Sequence, residues 1–454
     1  MPFRDITFLL IWLYLIPVSL VRPWIGILAW YWIAFFVPHG LTWGFARNLP
    51  VAIAIGGATL VGFLLMKDRK PLPRCAVTFF MLACVVHFTV TTIFAHNQEL
   101  AFGKWDWVSK VLLMTFVTMS LFQDRARLRW LYMVAALGLG FYGFKGGIWV
   151  LVTGGGELVL GPDKSFFADN NTLGLALSMI LPILLYLSRE EERPWLKWLM
   201  RITFSLSIIS IVFTYSRGAF LGLLIILSVL IWRSPWRLRF ASAILLVALI
   251  GAPLAPERLW NRLDSITKQE SAETRDRSAT ARLESWQTAW SIALSHPLMG
   301  EGFRALFNQD LWLLHFGPGY MATSDAHSIY FELLEEHGFL GFGLYFAAVI
   351  SALLTLRRVR KRWRKHPEHG YISHYAEMLQ LSFCPFLVSG AFLGVAYFDL
   401  YFMLLGTVAI LHELSRVAEA AVVSKAPTKD GPPSALRLRK RAVPVRPRRS
   451  PRHA

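Results

Sequence analysis

Three basic residues stand where polar chemistry could take place at the edge of an apolar protein. Arg217 follows an apolar run in FTYSRGAF, Arg282 lies in a long polar stretch, and His327 opens DAHSIYFELLEEHGFLGFG. The planar forks of two guanidinium groups match the oxygens of a diphosphate. A histidine can take a proton from a hydroxyl group near neutral pH. Together these residues predict a site that holds a diphosphate and activates a hydroxyl.

Each of the three also has a purely structural interpretation. Arg217 fits an interfacial anchor whose long side chain reaches the lipid headgroups. Arg282 could pair with Asp276 or Glu284 on a solvated helix. His327 could cap a helix or make a structural hydrogen bond. The residues alone leave both interpretations open.

Three further polar residues are candidates for a supporting role. Lys145, in FYGFKGG, lies in an apolar segment toward its outer end. An ionisable residue inside a membrane indicates function by default, although snorkelling also explains this one. Asp169 and Asn170, in FFADNNTLG, most simply cap the helix that follows them.

The elements that must position these residues are apolar. Of the 454 residues, 55% are hydrophobic and 17% are charged, whereas soluble domains carry roughly 25% charged residues. Apolar residues fall in blocks, such as 51–66 and 205–215, rather than in one-sided stripes. The sequence therefore predicts an all-α polytopic membrane protein of about 12–13 transmembrane helices, each needing roughly 20 apolar residues.

The lysines and arginines predict the orientation, because cytoplasmic loops are enriched in them. The basic segments are the C-terminal tail and the loops 67–74, 123–129, 189–201, 233–239 and 357–366. We expect all of them in the cytoplasm, and the intervening connections with the three candidate residues on the periplasmic side. The first apolar runs, 6–21 and 24–38, fit either two spans or a re-entrant hairpin, and the side of Met1 stays open.

Residues 256–326 form the sizeable polar segment between apolar blocks, and we expect one large periplasmic loop there. Within it, 276–295 places Arg282, Trp286 and Trp290 on one face of a helix. The following His-Pro dipeptide ends that helix, since the residue before proline avoids the helical region. A face that carries tryptophan suits a helix on the membrane surface.

The formal net charge of +18 does not indicate a nucleic-acid partner, because of where the charge lies. Residues 425–454 hold ten Lys and Arg against one acid, interleaved with Pro and Ser. Such a segment predicts a disordered tail, whose expected contact is with anionic lipid heads. The three cysteines imply neither a disulfide framework nor a metal cluster. We expect membrane lipids as partners, and no nucleic acid, metal or cofactor.

Three motifs together resemble those of the O-antigen ligase and Wzy-like polymerase superfamily. From His327 the chain reads His-Ser, nine residues, Gly338, two residues and Gly341, which looks like the histidine signature of that superfamily. ARLESWQTAWSIALSHPLMGEGF resembles its Arg…Trp…His-Pro motif, and SRGAFLG its membrane-edge arginine motif. The resemblance covers about 165–415.

This resemblance implies a GT-C-type glycosyltransferase that is inverting and independent of metals. Arg217 and Arg282 would bind the diphosphate of an undecaprenyl-diphosphate-linked glycan. His327 would activate or position a hydroxyl of the acceptor, which could be a protein, a lipid or a saccharide. Transfer would take place at the periplasmic face of a bacterial inner membrane.

The first 160 residues are similar to O-glycosylation ligases associated with exosortase A systems. The segments that carry this likeness are RPWIGILAWYWIAFFVPHGLTWGFA, KGGIWVLVTGGGELVLGPDKSFFADNN and ALSMILPILLYL. We therefore predict an N-terminal transmembrane region at 1–160 and a ligase-like catalytic region at 161–417, which includes the loop 256–326. Residues 418–454 are the basic tail.

Other functions fit part of the pattern. A Wzy-type polymerase shares the fold and the motifs, and would use a second lipid-linked chain as acceptor. A transporter would carry charges near mid-membrane and have halves related by symmetry, whereas the candidate residues here lie at the outer edge. A structural scaffold would leave the long external loop without a purpose.

Overall fold

The computed structural model describes residues 3–233, 237–239, 242, 277–316 and 325–425, and within these ranges every regular element is helical. Short 3-10 turns lie at Pro38–Leu41, Phe45–Asn48, Ala305–Phe307 and Gly390–Phe392. The α-helices are α1 Phe3–Val21, α2 Pro23–Phe36, α3 Val51–Leu65, α4 Ala76–Ile93, α5 Gln98–Leu121, α6 Arg125–Thr153, α7 Asn170–Glu190, α8 Pro194–Val212, α9 Arg217–Arg233, α10 Arg277–Ser295, α11 Gln309–Phe316, α12 Ile329–Trp363, α13 Gly370–Ser389 and α14 Asp399–Lys425.

Among the described helices, seven are long and apolar enough to cross a membrane: α1, α4, α6, α7, α8, α12 and α14. Helices α2 and α3 are apolar but shorter. The prediction of an all-α polytopic membrane protein is therefore confirmed. The apolar run 243–255 and the parts 256–276 and 317–324 of the predicted loop lie outside the described residues, so the total of about 12–13 spans stays a prediction.

Helix α7 lies at the centre of the bundle. Its side chains from Thr172 to Leu187 are almost all buried, and it packs against α6, α8, α9 and α13. Residues Met1–Ser415 form one compact unit around it. A second unit begins at Arg416 and contains the last turns of α14.

The first three basic loops lie together at one end of the bundle. Lys70, in the loop 67–74, donates a hydrogen bond to the carbonyl of Gln123 at 3.1 Å. Arg129, near the start of α6, forms an ion pair of 2.5 Å with Glu191 in the loop after α7. These contacts join three loops that the sequence predicts on the same side.

Two further basic segments, 233–239 and 357–366, meet at the same end. Arg233, at the end of α9, and Arg360, in the last turns of α12, pair with the same carboxylate of Glu377, at 2.5 and 3.7 Å. Tyr375 donates to Glu190 at 3.0 Å, which ties this group to the loop after α7. We call this the basic end of the bundle. That it faces the cytoplasm stays a prediction.

The N-terminal helices α1 and α2 run antiparallel along the bundle. The buried carboxylate of Asp5 accepts hydrogen bonds from the backbone N–H groups of Gly44 and Ala46, at 3.1 and 3.0 Å. At the other end of the pair, the Trp24 ring lies 5.6 Å from the guanidinium of Arg127, at the basic end. The chain therefore starts at the end opposite the basic one, and these contacts favour two full helices over a re-entrant hairpin.

We predict that Gly62→Ala destabilises the packing of α1 on α3. A Cβ atom at Gly62 would lie 2.2 Å from the backbone oxygen of Leu20, so the two helices would have to separate. Overpacking of this kind costs about 1–3 kcal/mol. Gly57→Ala on the same helix is the matched control, because its Cβ would meet nothing within 4 Å. Thermal unfolding in detergent should show a lower midpoint for Gly62→Ala alone, and equal midpoints would contradict the packing described.

Candidate functional site

Arg217 is the first residue of α9, and the turn before it is fixed by two neighbouring segments. The side chain of Asn170 donates to the carbonyl of Thr214 at 2.8 Å. The buried hydroxyl of Tyr215 donates to the carbonyl of Gly155 at 2.6 Å. The half-buried Arg217 side chain therefore starts from a rigid turn at the end of α9 opposite the basic end.

Asp169 has the structural role that its sequence context suggests. Its carboxylate accepts hydrogen bonds from the backbone N–H groups of Asn171, at 2.8 Å, and Thr172, at 3.0 Å. It is the N-cap of α7. Asp169 and Asn170 thus act on the site through the position of the Arg217 turn.

Lys145 lies on the outer face of α6. Its side chain is exposed, as are those of Ile148 and Trp149 on the same surface. Gly147 faces the other way, toward α8, where an added Cβ would lie 2.5 Å from the backbone oxygen of Leu206. The structure therefore does not bring Lys145 toward the three main candidates, and the snorkelling interpretation fits its position.

Arg282 lies on α10, whose position is set by a tryptophan one turn later. The indole N–H of Trp286 donates to the carbonyl of Ala326 at 2.8 Å. Its ring stacks on Phe331 with a centroid distance of 5.1 Å and an interplanar angle of 13°. Four residues of helix rise about 6 Å, so Arg282 lies one turn from Trp286, whose indole contacts the residue before His327.

The tryptophan face of α10, for which the sequence predicts a position on the membrane surface, packs on another helix. Trp286 packs on Phe331, and Trp290 meets Phe339 edge-to-face at 5.5 Å. Both partners belong to α12, so this face forms a helix–helix contact. The predicted end of the helix is confirmed, because α10 stops at Ser295 before the His-Pro dipeptide.

His327 is held by its backbone and leaves its ring accessible. It adopts a left-handed conformation, with φ of 46°. Its backbone N–H donates to Asp325 at 3.4 Å, and its Nδ1 atom lies 4.0 Å from the other oxygen of that carboxylate. The His327 side chain is 48% exposed. A carboxylate beside one ring nitrogen can orient an imidazole and stabilise its protonated form.

Two residues at the end of α13 join the start of α9 to the start of α12. Ser389 donates to the carbonyl of Gly218 at 2.7 Å. The next residue, Gly390, lies so close to Ile329 that an added Cβ would be 2.9 Å from its Cδ1 atom. Ile329 is two residues beyond His327. With the Trp286 contact, these links gather the segments of Arg217, Arg282 and His327 at one end of the bundle, which we call the site end.

Two buried carboxylates beside this group were missed by the sequence analysis. Glu332 accepts a hydrogen bond from the backbone N–H of Ala396 at 3.0 Å. Glu336 accepts from the backbone N–H of Arg304 at 2.7 Å and from the hydroxyl of Tyr397 at 2.5 Å. The signal was present in ELLEEH, because several acids at the edge of a spanning segment need partners.

A lysine from α5 supplies positive charge next to these carboxylates. The ammonium of Lys104 lies 5.2 Å from the ring centroid of Tyr397 and 5.1 Å from that of Trp107. It attracts both Glu332 and Glu336. Burial raises the pKa of Tyr397, and the nearby carboxylates raise it further, so the phenol stays protonated and remains a donor. The site end is thus tied to α5 as well.

Helix α12 is broken at Gly338, close to the site. Gly338 has φ of 63° and ψ of −171°, a conformation that only glycine adopts without strain. An added Cβ would also lie 2.6 Å from the carbonyl oxygen of Pro297. The next backbone N–H, of Phe339, donates to that same oxygen at 2.7 Å. The His-Pro turn after α10 is therefore docked on the break.

The turn also satisfies the carbonyl groups that the break exposes. The backbone N–H of Glu301 donates to the carbonyl of Glu335 at 2.9 Å, and that of Gly302 donates to Glu336 at 3.0 Å. The His-Pro motif after α10 and the His327 motif, which both contain glycines, thus have a structural role. They fasten the end of α10 to α12, which carries the chain on from His327.

Comparison with known families divides the chain into two regions. Residues 202–346 match the family described as O-Antigen ligase. Residues 3–192 match a family of unknown function (DUF5935). A search of curated proteins found no match. The match to the O-Antigen ligase family contains Arg217, Arg282 and His327, and it supports the resemblance to the O-antigen ligase and Wzy-like superfamily. The likeness to exosortase-associated ligases stays a prediction.

We predict that Glu336 and Tyr397 stabilise the site end as a coupled pair. Glu336→Ala leaves two donors without an acceptor, and a buried unpaired group costs about 1–3 kcal/mol. Tyr397→Phe should cost less, and the double variant should be less destabilised than the sum, by about 0.5–3 kcal/mol. Thermal unfolding of the four proteins in detergent measures this coupling. In a control cycle, Glu368→Ala at an exposed position takes the place of Glu336→Ala, and its effect should add to that of Tyr397→Phe. If the effects of Glu336→Ala and Tyr397→Phe were also additive, the contact between these two residues would be contradicted.

Proposed function

We propose that this chain is a membrane glycosyltransferase of the ligase type. It transfers a saccharide or polysaccharide from undecaprenyl diphosphate to a hydroxyl group of an acceptor, on the periplasmic side of a bacterial inner membrane. The observation that supports the proposal is the set of contacts that brings the segments carrying Arg217, Arg282 and His327 to the site end. The match of residues 202–346 to the O-antigen ligase family supports it.

In this proposal the two arginines hold the donor diphosphate. Arg217 starts from a rigid turn at the end of a helix bundle, where a lipid-linked substrate can arrive sideways from the bilayer. Arg282 approaches from α10, above the same end. Two guanidinium groups hold a diphosphate in a defined orientation and neutralise the charge that grows on it as the bond breaks. The arginines supply this charge, so the proposed reaction requires no metal.

His327 serves the acceptor. A hydroxyl oxygen of the acceptor attacks the anomeric carbon from the face opposite the diphosphate and forms the new C–O bond. The old C–O bond breaks, its electron pair passes to the diphosphate, and the configuration at that carbon inverts. The hydroxyl proton passes to the exposed imidazole of His327, whose positive charge the Asp325 carboxylate stabilises.

The test is transfer by purified protein in lipid nanodiscs from a lipid-diphosphate-linked glycan. Arg217→Ala, Arg282→Ala and His327→Ala should each reduce the rate by a factor of about 100 or more, as for the loss of an electrostatic or proton-transfer group. Arg304→Gln is the matched control, because Arg304 is an exposed arginine of the same region that the mechanism does not use. Its rate should stay within about twofold, a surface-charge effect.

The result is read together with protein abundance. All variants should reach the membrane at equal levels and elute as single species. Transfer at the normal rate by both Arg282→Ala and His327→Ala would refute the proposal. Equal loss in Arg304→Gln would mean that the positive field of the region matters, not two positioned guanidinium groups.

Cells that lack the protein distinguish a ligase from a polymerase. Without a ligase, long glycan should accumulate on the lipid carrier and disappear from the acceptor. Without a polymerase, single repeat units should accumulate instead. Mass analysis of lipid-linked and acceptor-linked glycan separates the two outcomes and also identifies the acceptor class.

A further inference from the structure

A cavity of about 530 Å³ lies in the N-terminal region, away from the three candidate residues. Its walls are α2, α3 and α5, and loop residues 37–39 and 164–166 close one end. The volume is within the roughly 300–1,000 Å³ of small-molecule sites. Neither the proposed transfer reaction nor the family of unknown function that matches residues 3–192 assigns it a role.

The cavity opens toward the outer surface of the bundle. Ile53 on α3 and Leu113 on α5 line it and are exposed, at 67% and 47%. Between them Gly57 presents only backbone, and an added Cβ there would meet nothing within 4 Å. An apolar opening on the side of a membrane bundle faces lipid chains, which are therefore the molecules that can enter it.

The polar end of the cavity carries little net charge. Lys110 is paired with Asp106 at 2.6 Å on the same helix. Lys164, beside Ser165, is exposed and has no acidic partner among the described residues. Burial lowers the pKa of His39, and Arg47 lowers it further, so this imidazole is neutral at pH 7. One lysine remains to bind an anion.

The remaining charged groups near this end do not change that balance. Arg47 pairs with Asp163 at 3.5 Å. Asp399 is buried on the inner wall at the first residue of α14, and burial disfavours the charged form of a carboxylate. One unpaired cation matches the single charge of a phosphodiester. A diphosphate would need more cations, such as the two arginines of the site end.

We propose that this cavity binds one phospholipid of single net negative charge, with its phosphodiester at Lys164 and Ser165 and one acyl chain between α3 and α5. The site is separate from that of the glycan donor. It gives residues of the N-terminal region a ligand of their own, and the proposal does not depend on glycan transfer.

The bound lipid would brace the wall that the cavity shares with the site end. Phe166 lines the cavity and stacks on Trp107 at 5.3 Å and on Phe398 at 5.0 Å. Phe398 follows Tyr397, which donates to Glu336. An acyl chain packed against Phe166 would therefore support the segment that holds α12 in place.

The test is native mass spectrometry of the full-length protein, freed of lipid and titrated with phosphatidylglycerol. One molecule should bind tightly per chain. Lys164→Asn should weaken binding about fivefold, the effect of one lysine near a lipid phosphate; asparagine also tolerates the left-handed backbone at this position, where φ is 61°. Gly57→Leu should weaken binding at least tenfold, because its side chain fills the cavity.

Two matched variants serve as controls. Gly103→Leu adds the same side chain to α5 at a position that meets nothing within 4 Å and does not line the cavity. Lys67→Asn removes one exposed lysine at the basic end. Both should bind phosphatidylglycerol like the unaltered protein, and all variants should elute as single species.

Comparison ligands decide the chemistry. Phosphatidylcholine, which has no net charge, should bind the unaltered protein about fivefold more weakly than phosphatidylglycerol, and Lys164→Asn should remove this difference. Equal binding of the two lipids to the unaltered protein would overturn the proposal. So would unchanged binding in both Lys164→Asn and Gly57→Leu. Displacement of the lipid by millimolar inorganic phosphate would assign a free-phosphate site instead, and would equally overturn it.

Discussion

The break in α12 at Gly338 leaves backbone carbonyl groups without helical partners inside an apolar bundle, where no water can satisfy them. Such groups cost several kcal/mol each in a membrane, so the break can exist only with a partner attached. The turn after α10 is that partner, since its N–H groups meet the carbonyls of Glu335 and Glu336. One consequence is geometric. The helix that bears Arg282 is fixed to the helix that starts beside His327, and neither can move without exposing the break.

The buried carboxylates next to the break extend this constraint to the surrounding loops. Glu332 binds the backbone at Ala396, and Glu336 binds the backbone at Arg304 and the hydroxyl of Tyr397. Burying a carboxylate costs several kcal/mol unless hydrogen bonds and an opposite charge offset it, and Lys104 provides that charge from α5. The net gain in stability from burying these acids is therefore small, although removing one of them and leaving its donors unpaired is costly. They determine which loops can sit around α12, and so the shape of the site end.

The sequence predicted what depends on local pattern. The helical class followed from apolar blocks, the grouping of the basic loops from lysines and arginines, and the end of α10 from its His-Pro dipeptide. The hydrogen bonds that Glu336 accepts could not be predicted, because its partners are 32 and 61 residues away in the sequence. The sequence also predicts a position on the membrane surface for the tryptophan face of α10. The helical period of a sequence shows that a face is apolar, but it cannot show whether lipid or another helix covers that face.

Aromatic contacts join the region that matches the family of unknown function to the segment before α14, and this gives the N-terminal helices a structural link to the site end. Trp107 belongs to the region of unknown function, whereas Phe398 follows the loop that Glu332 and Glu336 hold. Phe166 stacks on both rings. Stacked rings resist sliding only while the space beneath them is filled, since an empty cavity removes their contacts on one side. The N-terminal helices therefore act on the site through packing, by the support they give to Phe166, and a lipid in their cavity would be part of that support.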